Sequence, residues 1–252
     1  MTSSRVECMP GRRRFAPGWP LWVFTLALLP VLIGLGFWQL ERAGEKRELQ
    51  AQIDQQRSQP ATPLAELDTT TIAAWRPLLL TGTLDTRYIW LLDNRTRDGR
   101  PGVEVLQVFH DHASDRRLLV NRGWLPWPDR RELPAVPTPQ GNLQLQVEAL
   151  PAPEQGFRLE SAPTAGWPKV VGRIDLPTFA THTGAPLLPW MARLQAGSQA
   201  AFRLDWPGLP MTASKHTGYA VQWFALAAAL LILFIWAGLR PDSRRNNNDE
   251  HD

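Results

Sequence analysis

Two stretches of this chain carry no formal charge over a length that crosses a bilayer, and they set what it can fold into. Between Lys215 and Arg240 there is no Asp, Glu, Lys or Arg, and at about 1.5 Å per residue such a run spans the roughly 30 Å of a hydrocarbon core. A transmembrane helix is predicted over 219–239, with one imidazole, His216, at its rim. On a 3.6-residue period His216 shares a face with Tyr219, Ala220, Trp223 and Ala227. That face sets a ligand-capable nitrogen beside two flat aromatics and two small residues, a shape that accepts a porphyrin edge. The same residue types also suit a membrane interface with no cofactor, because their bodies are apolar and their tips polar.

The first uncharged run continues to Leu40 and predicts a second spanning helix over 20–40. A basic start and the small residues Gly34 and Gly36 also fit a signal peptide, but the apolar segment outlasts an h-region and runs on through Phe37 and Trp38, so a retained anchor is predicted. Arg5 and Arg12 to Arg14 precede this helix, and Arg240, Arg244 and Arg245 follow the other. Positive charge at both ends predicts that both termini, 1–19 and 240–252, are cytoplasmic. With no amphipathic transit helix at the start, the expected location is a bacterial inner membrane with the main domain in the periplasm.

The intervening residues 41–218 are long enough for one domain with its own core. They hold 20 Lys plus Arg against 19 Asp plus Glu, so they lack the basic footprint of a nucleic-acid binder, and none is expected as a partner. The single cysteine, Cys8, lies in the N-terminal tail, and the loop's methionines are Met191 and Met211, which argues against disulfides and copper carriage in the exported part. Residues 41–59 read as a helix leaving the membrane and stopped by Pro60 and Pro63. Strand-like runs follow at 75–84, 88–93, 103–110, 117–124, 143–150, 169–174 and 201–206, separated by turn residues. Leu143, Leu145 and Val147 alternate with Gln144, Gln146 and Glu148, as on a strand with one wet face. A short helix is predicted over 176–183, capped by Asp175 with Pro177 in its first turn. The predicted fold is two transmembrane α-helices flanking a β-rich extracytoplasmic domain, an antiparallel barrel or sandwich with a minor helix.

Candidate chemistry in the loop is sparse. His110-Asp111-His112 has a chelating spacing but no evident third ligand, so a polar strand end is expected, with Asp111 on the opposite face. His182 reads as solitary and on the surface. The run Asp93 to Arg100 is an arginine-rich turn that could hold a carboxylate or phosphate, but a solvated hairpin whose charges pair with its own Asp93 and Asp98 is the expectation. Asn121-Arg122-Gly123-Trp124 is expected to end a strand in a glycine turn. No serine sits in a nucleophile elbow and no glycine-rich loop fits a phosphate, so an enzyme is not expected.

Four blocks together carry a resemblance. They are Gly36-Phe37-Trp38-Gln39-x-x-Arg42, Leu92-Asp93-Asn94-Arg95 with Gly102-Val103-Glu104-Val105, Val120-Asn121-Arg122-Gly123-Trp124-Leu125-Pro126, and Lys215-His216-x-x-Tyr219-x-x-Gln222-Trp223. In order and spacing they resemble the Surfeit locus protein 1 family. The resemblance implies an assembly factor for heme-copper cytochrome c oxidase, with the oxidase catalytic subunit, the heme a synthase and the lipid bilayer as partners. Bacterial members are proposed to bind heme a through a histidine opening the second membrane helix, and the matching position is His216, as ligand to the heme iron. Tyr219, Trp223, Trp38 and Gln39 are expected around the ring, with Arg42 toward a propionate. Gly34, Gly36, Ala225 and Ala229 are expected where the two helices pack. A scaffold that binds oxidase subunits without heme, and a membrane enzyme using His110 and His112, are the alternatives.

Overall fold

The computed structural model describes residues 14–151, 166–206, 208 and 211–240. The N-terminal arginines before Arg14, Cys8, most of the proline-rich stretch 151–168 and the tail after Arg240 lie outside the described residues. The elements in chain order are β1 (Arg14–Phe15), α1 (Trp19–Arg57), β2 (Thr62–Pro63), a 3-10 turn (Leu64–Glu66), β3 (Pro77–Leu92), β4 (Gly102–Asp111), β5 (Arg116–Pro126), β6 (Leu143–Pro151), β7 (Lys169–Val171), α2 (Leu176–Thr183), β8 (Trp190–Leu194), α3 (Ala213–Gly238) and β9 (Leu239–Arg240). They divide into two compact units, Met1–Leu49 with Leu209–Asp252, and Gln50–Gly208.

In the first unit α1 and α3 are both long and apolar enough to cross a membrane. Pro30 lies inside α1, a position membrane helices tolerate. Large apolar side chains such as Phe37, Ile232, Leu233 and Trp236 are exposed, as expected of helices whose solvent is lipid. Below them β1 pairs antiparallel with β9, Arg14 opposite Arg240 and Phe15 opposite Leu239, and Ala16 N donates to Gly238 O at 2.8 Å. Phe15 and Trp22 both meet Phe234 edge to face, at 5.7 and 4.8 Å. Entry to the first helix and exit from the second are thereby stitched together.

The second unit is a mixed sheet. Strand pairings run β3–β4, β4–β5, β5–β8 and β8–β6, and β6 returns to β3. The expectation of a wholly antiparallel sheet is corrected by three parallel pairs, β2–β3, β3–β7 and β5–β8. Parallel neighbours need a long crossover, and for β5 and β8 it runs from Pro126 to Trp190, through β6 and α2. Strand β8 was missing from the sequence reading, whereas the expected strand at 201–206 is only a bridge from Arg203 to Trp124. The two runs at 75–84 and 88–93 are one strand, β3, irregular between Leu84 and Ile89, where Arg87 N donates to Asp85 Oδ1 at 2.9 Å. Five steps along β3 there oppose two along β4, so the chain bulges out of the ladder without leaving the strand.

α2 forms as expected. Asp175 Oδ1 accepts from Thr178 N at 3.1 Å, and Gly184, left-handed at φ 66°, ends the helix. Apolar residues collect in three clusters, around Leu78, Leu145 and Phe109, around Trp90 and Phe179, and around Leu91 and Trp127.

Candidate functional site

Helix α3 begins after Thr212, whose extended backbone leaves His216 in the first turn. The imidazole is buried, 8% exposed, and its Nδ1 lies 2.7 Å from Gln39 Oε1 on α1. Ala220 and Ala227 continue the buried stripe, four and eleven residues on, as the helical period requires. Trp223 is half-buried, and Tyr219 is 45% exposed. On α1 Trp38 is 46% exposed and carries the Arg42 guanidinium 5.7 Å from its ring centre, while Arg42 Nη1 also pairs with Glu45 Oε2 at 2.6 Å. The structure thus joins His216 to Gln39 and Trp38 to Arg42, and leaves Tyr219 and Trp38 with open aromatic surface.

Of the four small residues expected between the helices, only Gly36 is there. A Cβ on it would sit 2.5 Å from the Phe224 ring, which in turn meets Phe37 at 5.3 Å. Gly34 has nothing within 4 Å, and Ala225 and Ala229 are exposed. At about 100° per residue, position 225 lies on the far side of α3 from His216, so Ala220 and Ala227 take the expected role.

In the second unit the loop and strand blocks converge on a buried carboxylate. Glu104 on β4 accepts from Arg97 Nη2 and from Asn121 Nδ2, each at 2.9 Å, with Arg95 Nε 3.6 Å away. Trp124 Nε1 donates to Arg95 O at 2.6 Å. The expectation that this loop pairs internally is corrected: Asp93 pairs with Arg130 at 2.7 Å and Asp98 with Arg203 at 2.6 Å. Arg95, Arg97, Asp93 and Asp98 of the turn are therefore partnered by charged groups from elsewhere in the second unit. Arg122, 2% exposed, donates to Ala200 O, Pro137 O and Gln107 Oε1 at 2.7 to 2.8 Å and lies 4.7 Å from the Phe202 ring centre. Burial pushes its pKa down to about 10, which keeps it charged at neutral pH. Gly123, at φ 109°, does not end the strand. Arg122 and Gly123 form a bulge opposite Val105 as β5 runs on to Pro126.

The other histidines among the described residues are engaged. His110 Nε2 meets Asp115 Oδ1 at 2.8 Å and His112 Nε2 meets Thr83 Oγ1 at 3.3 Å. Asp111, buried as expected on the opposite face, accepts from Thr81 N at 2.7 Å and from the Ser114 hydroxyl at 2.7 Å. Among the described residues no three His, Cys, Asp or Glu side chains gather as a metal group. His182 is not solitary. It stacks 6.3 Å from the Trp90 ring, lies edge-on to Trp167 at 5.9 Å, and its Nδ1 is buried without a partner. Burial, and then Lys169, lower its pKa.

Sequence reasoning missed the buried polar centres Glu104 and Arg122. Their one signal was polar side chains inside apolar strand runs, Glu104 between Val103 and Val105, and Asn121-Arg122 after Leu118-Leu119-Val120. Buried charge in such a run must be paired.

A profile of the SURF1 family matches residues 26–228, from within the first helix to within the second, and so covers the helix pair with His216 and the whole sheet. The chain belongs to the SURF1 family. It is also similar to the SURF1-like protein of Rickettsia conorii, 25% identical over 221 residues, covering 81% of this chain and 85% of the relative. That of Rickettsia felis is 25% identical over 224 residues, covering 84% and 93%. SURF1 proteins are cytochrome oxidase assembly factors, which the motif blocks had implied.

Proposed function

We propose that this SURF1 protein holds heme a, as cargo, at His216 and presents it to the catalytic subunit of a heme-copper cytochrome c oxidase. The observation that carries the reading is a buried imidazole in the first turn of α3, after which no formal charge follows to the helix end at Gly238. Buried ionisable groups at such positions are costly and mark function, and histidine in apolar surroundings is a common ligand of haem iron. The donor set fits a single nitrogen that would hold the iron: among the described residues Nε2 of His216 makes no hydrogen bond, while Nδ1 is engaged. Trp38, Tyr219 and Trp223 would supply flat apolar surface to the macrocycle and Arg42 a cation to a propionate. The iron supplies a Lewis acid, and the protein's part is to bind it, orient it and let it go.

In this reading both termini are cytoplasmic and the β-rich unit lies in the periplasm of a bacterial inner membrane, where it docks the receiving subunit and accepts cargo from the heme a synthase. The closed circuit of strand pairings supports reading that unit as a small barrel. The test is the absorption spectrum of full-length protein co-expressed with the heme a synthesis enzymes, beside His216→Ala. A Soret band lost in the variant is expected. A band retained in the variant removes His216 from the site, and no band in either protein leaves a scaffold that binds oxidase subunits alone.

A further inference from the structure

Gln39 does something more specific than line the site. Its side-chain oxygen, on the first membrane helix, lies 2.7 Å from Nδ1 of His216 on the second. An amide oxygen can only accept, so a hydrogen bond to it requires the hydrogen on Nδ1, which in the neutral ring leaves the lone pair on Nε2. Free neutral imidazole side chains in water favour the opposite arrangement, with the hydrogen on Nε2. We propose that Gln39 is a positioning residue that selects the Nδ1–H tautomer of His216 and so makes Nε2 the nitrogen offered to a metal centre.

Two consequences come from the chemistry of such pairs. A hydrogen bond from the non-ligating ring nitrogen fixes the ring's orientation and raises the basicity of the other nitrogen. Here the acceptor comes from α1 and the ring from α3, so ligand quality depends on the contact between the two helices. That contact is set by packing close by, where the Phe224 ring covers Gly36, one helical turn before Gln39. The acceptor is uncharged and half-buried, so it orients the imidazole without placing a formal charge beside it. The link to heme rests on the function proposed above; the tautomer does not.

The experiment therefore starts from cargo-free protein. Full-length chain with ring-15N histidine is purified in detergent, and its long-range 1H–15N spectrum identifies the tautomer of each ring, His216 being assigned by its loss in His216→Ala. The expected result is an Nδ1–H pattern for His216 that reverts to Nε2–H in Gln39→Leu and survives in Gln39→Glu, which keeps an acceptor. An Nε2–H pattern in the unaltered protein, or one that Gln39→Leu leaves unchanged, overturns the proposal. If Gln39→Leu does not fold, loss of the Nδ1–H pattern in Gln39→Glu overturns it equally. In heme-loaded protein Gln39→Leu should weaken binding about 10- to 100-fold and raise the reduction midpoint, with Gln39→Glu moving the midpoint the other way. The expected tautomer without any Soret band would refute heme handling while leaving the role of Gln39 intact.

Discussion

Arg122 and His182 show how single side chains govern the second unit. Arg122 is a charged group buried with neutral acceptors, two backbone carbonyls and the Gln107 amide, and it ties the segments around Pro137 and Ala200 to β5. Removing it leaves those acceptors dry and unpaired, a larger loss than the bonds themselves. Arg122→Ala should destabilise the unit by at least the roughly 1–3 kcal/mol of a stranded buried acceptor, read as a lowered denaturant midpoint, and Arg122→Lys should rescue only partly because an ammonium cannot reproduce the planar fork. His182 gives a pH dependence. Its folded pKa lies below the usual 6.5, so as pH falls the unfolded chain takes up the proton first. Its contribution is complete above about pH 6.5, is lost as pH drops toward the folded value and falls no further beneath it. His182→Phe preserves a ring beside Trp90, and its melting temperature should lose this part of the acid sensitivity in a pH series.

At the level of elements, β3 is the strand on which the sheet turns. Its first half pairs with β6 and its second half with β4, and at Gly82 it is paired on both sides, to Leu143 and to Asp111. A Cβ there would collide with the His110 carbonyl oxygen, and backbone cannot move aside as a side chain can. Gly82→Ala should therefore cost at least the roughly 1–3 kcal/mol of an overpacked core, seen as loss of soluble folded protein or a strongly lowered midpoint. The contrasting case is Gly36, where the obstacle is the ring of Phe224. Gly36→Ala is expected to be tolerated by a small ring shift, whereas Gly36→Ile should separate the helices and lower thermal stability in detergent.

On the scale of the whole molecule, the three apolar clusters are built from residues 64–204 and lie entirely within the second unit. A chain limited to residues 50–208 should consequently fold by itself and melt cooperatively, with far-ultraviolet circular dichroism of a β-rich protein and no need for detergent. Failure to fold would mean that the helices contribute to this core.

Much of the architecture is written in short-range pattern. Charge-free length predicted both long apolar helices, and the Asp175 cap with Pro177 predicted α2, because each depends on neighbours within one or two turns. The place of His216 at the start of the second long apolar helix was equally visible, since it depends only on where charge stops. The partner of its ring was not: Gln39 had been set beside a porphyrin, and the structure puts it on Nδ1 from 177 residues away. Likewise Arg203 meets Asp98 across 105 positions, β8 enters parallel to β5, and Arg97 turns to Glu104 instead of its own loop. These pairings are decided by which polar groups are left dry once the apolar faces close. That is a property of the packed chain, and local periodicity carries no record of it.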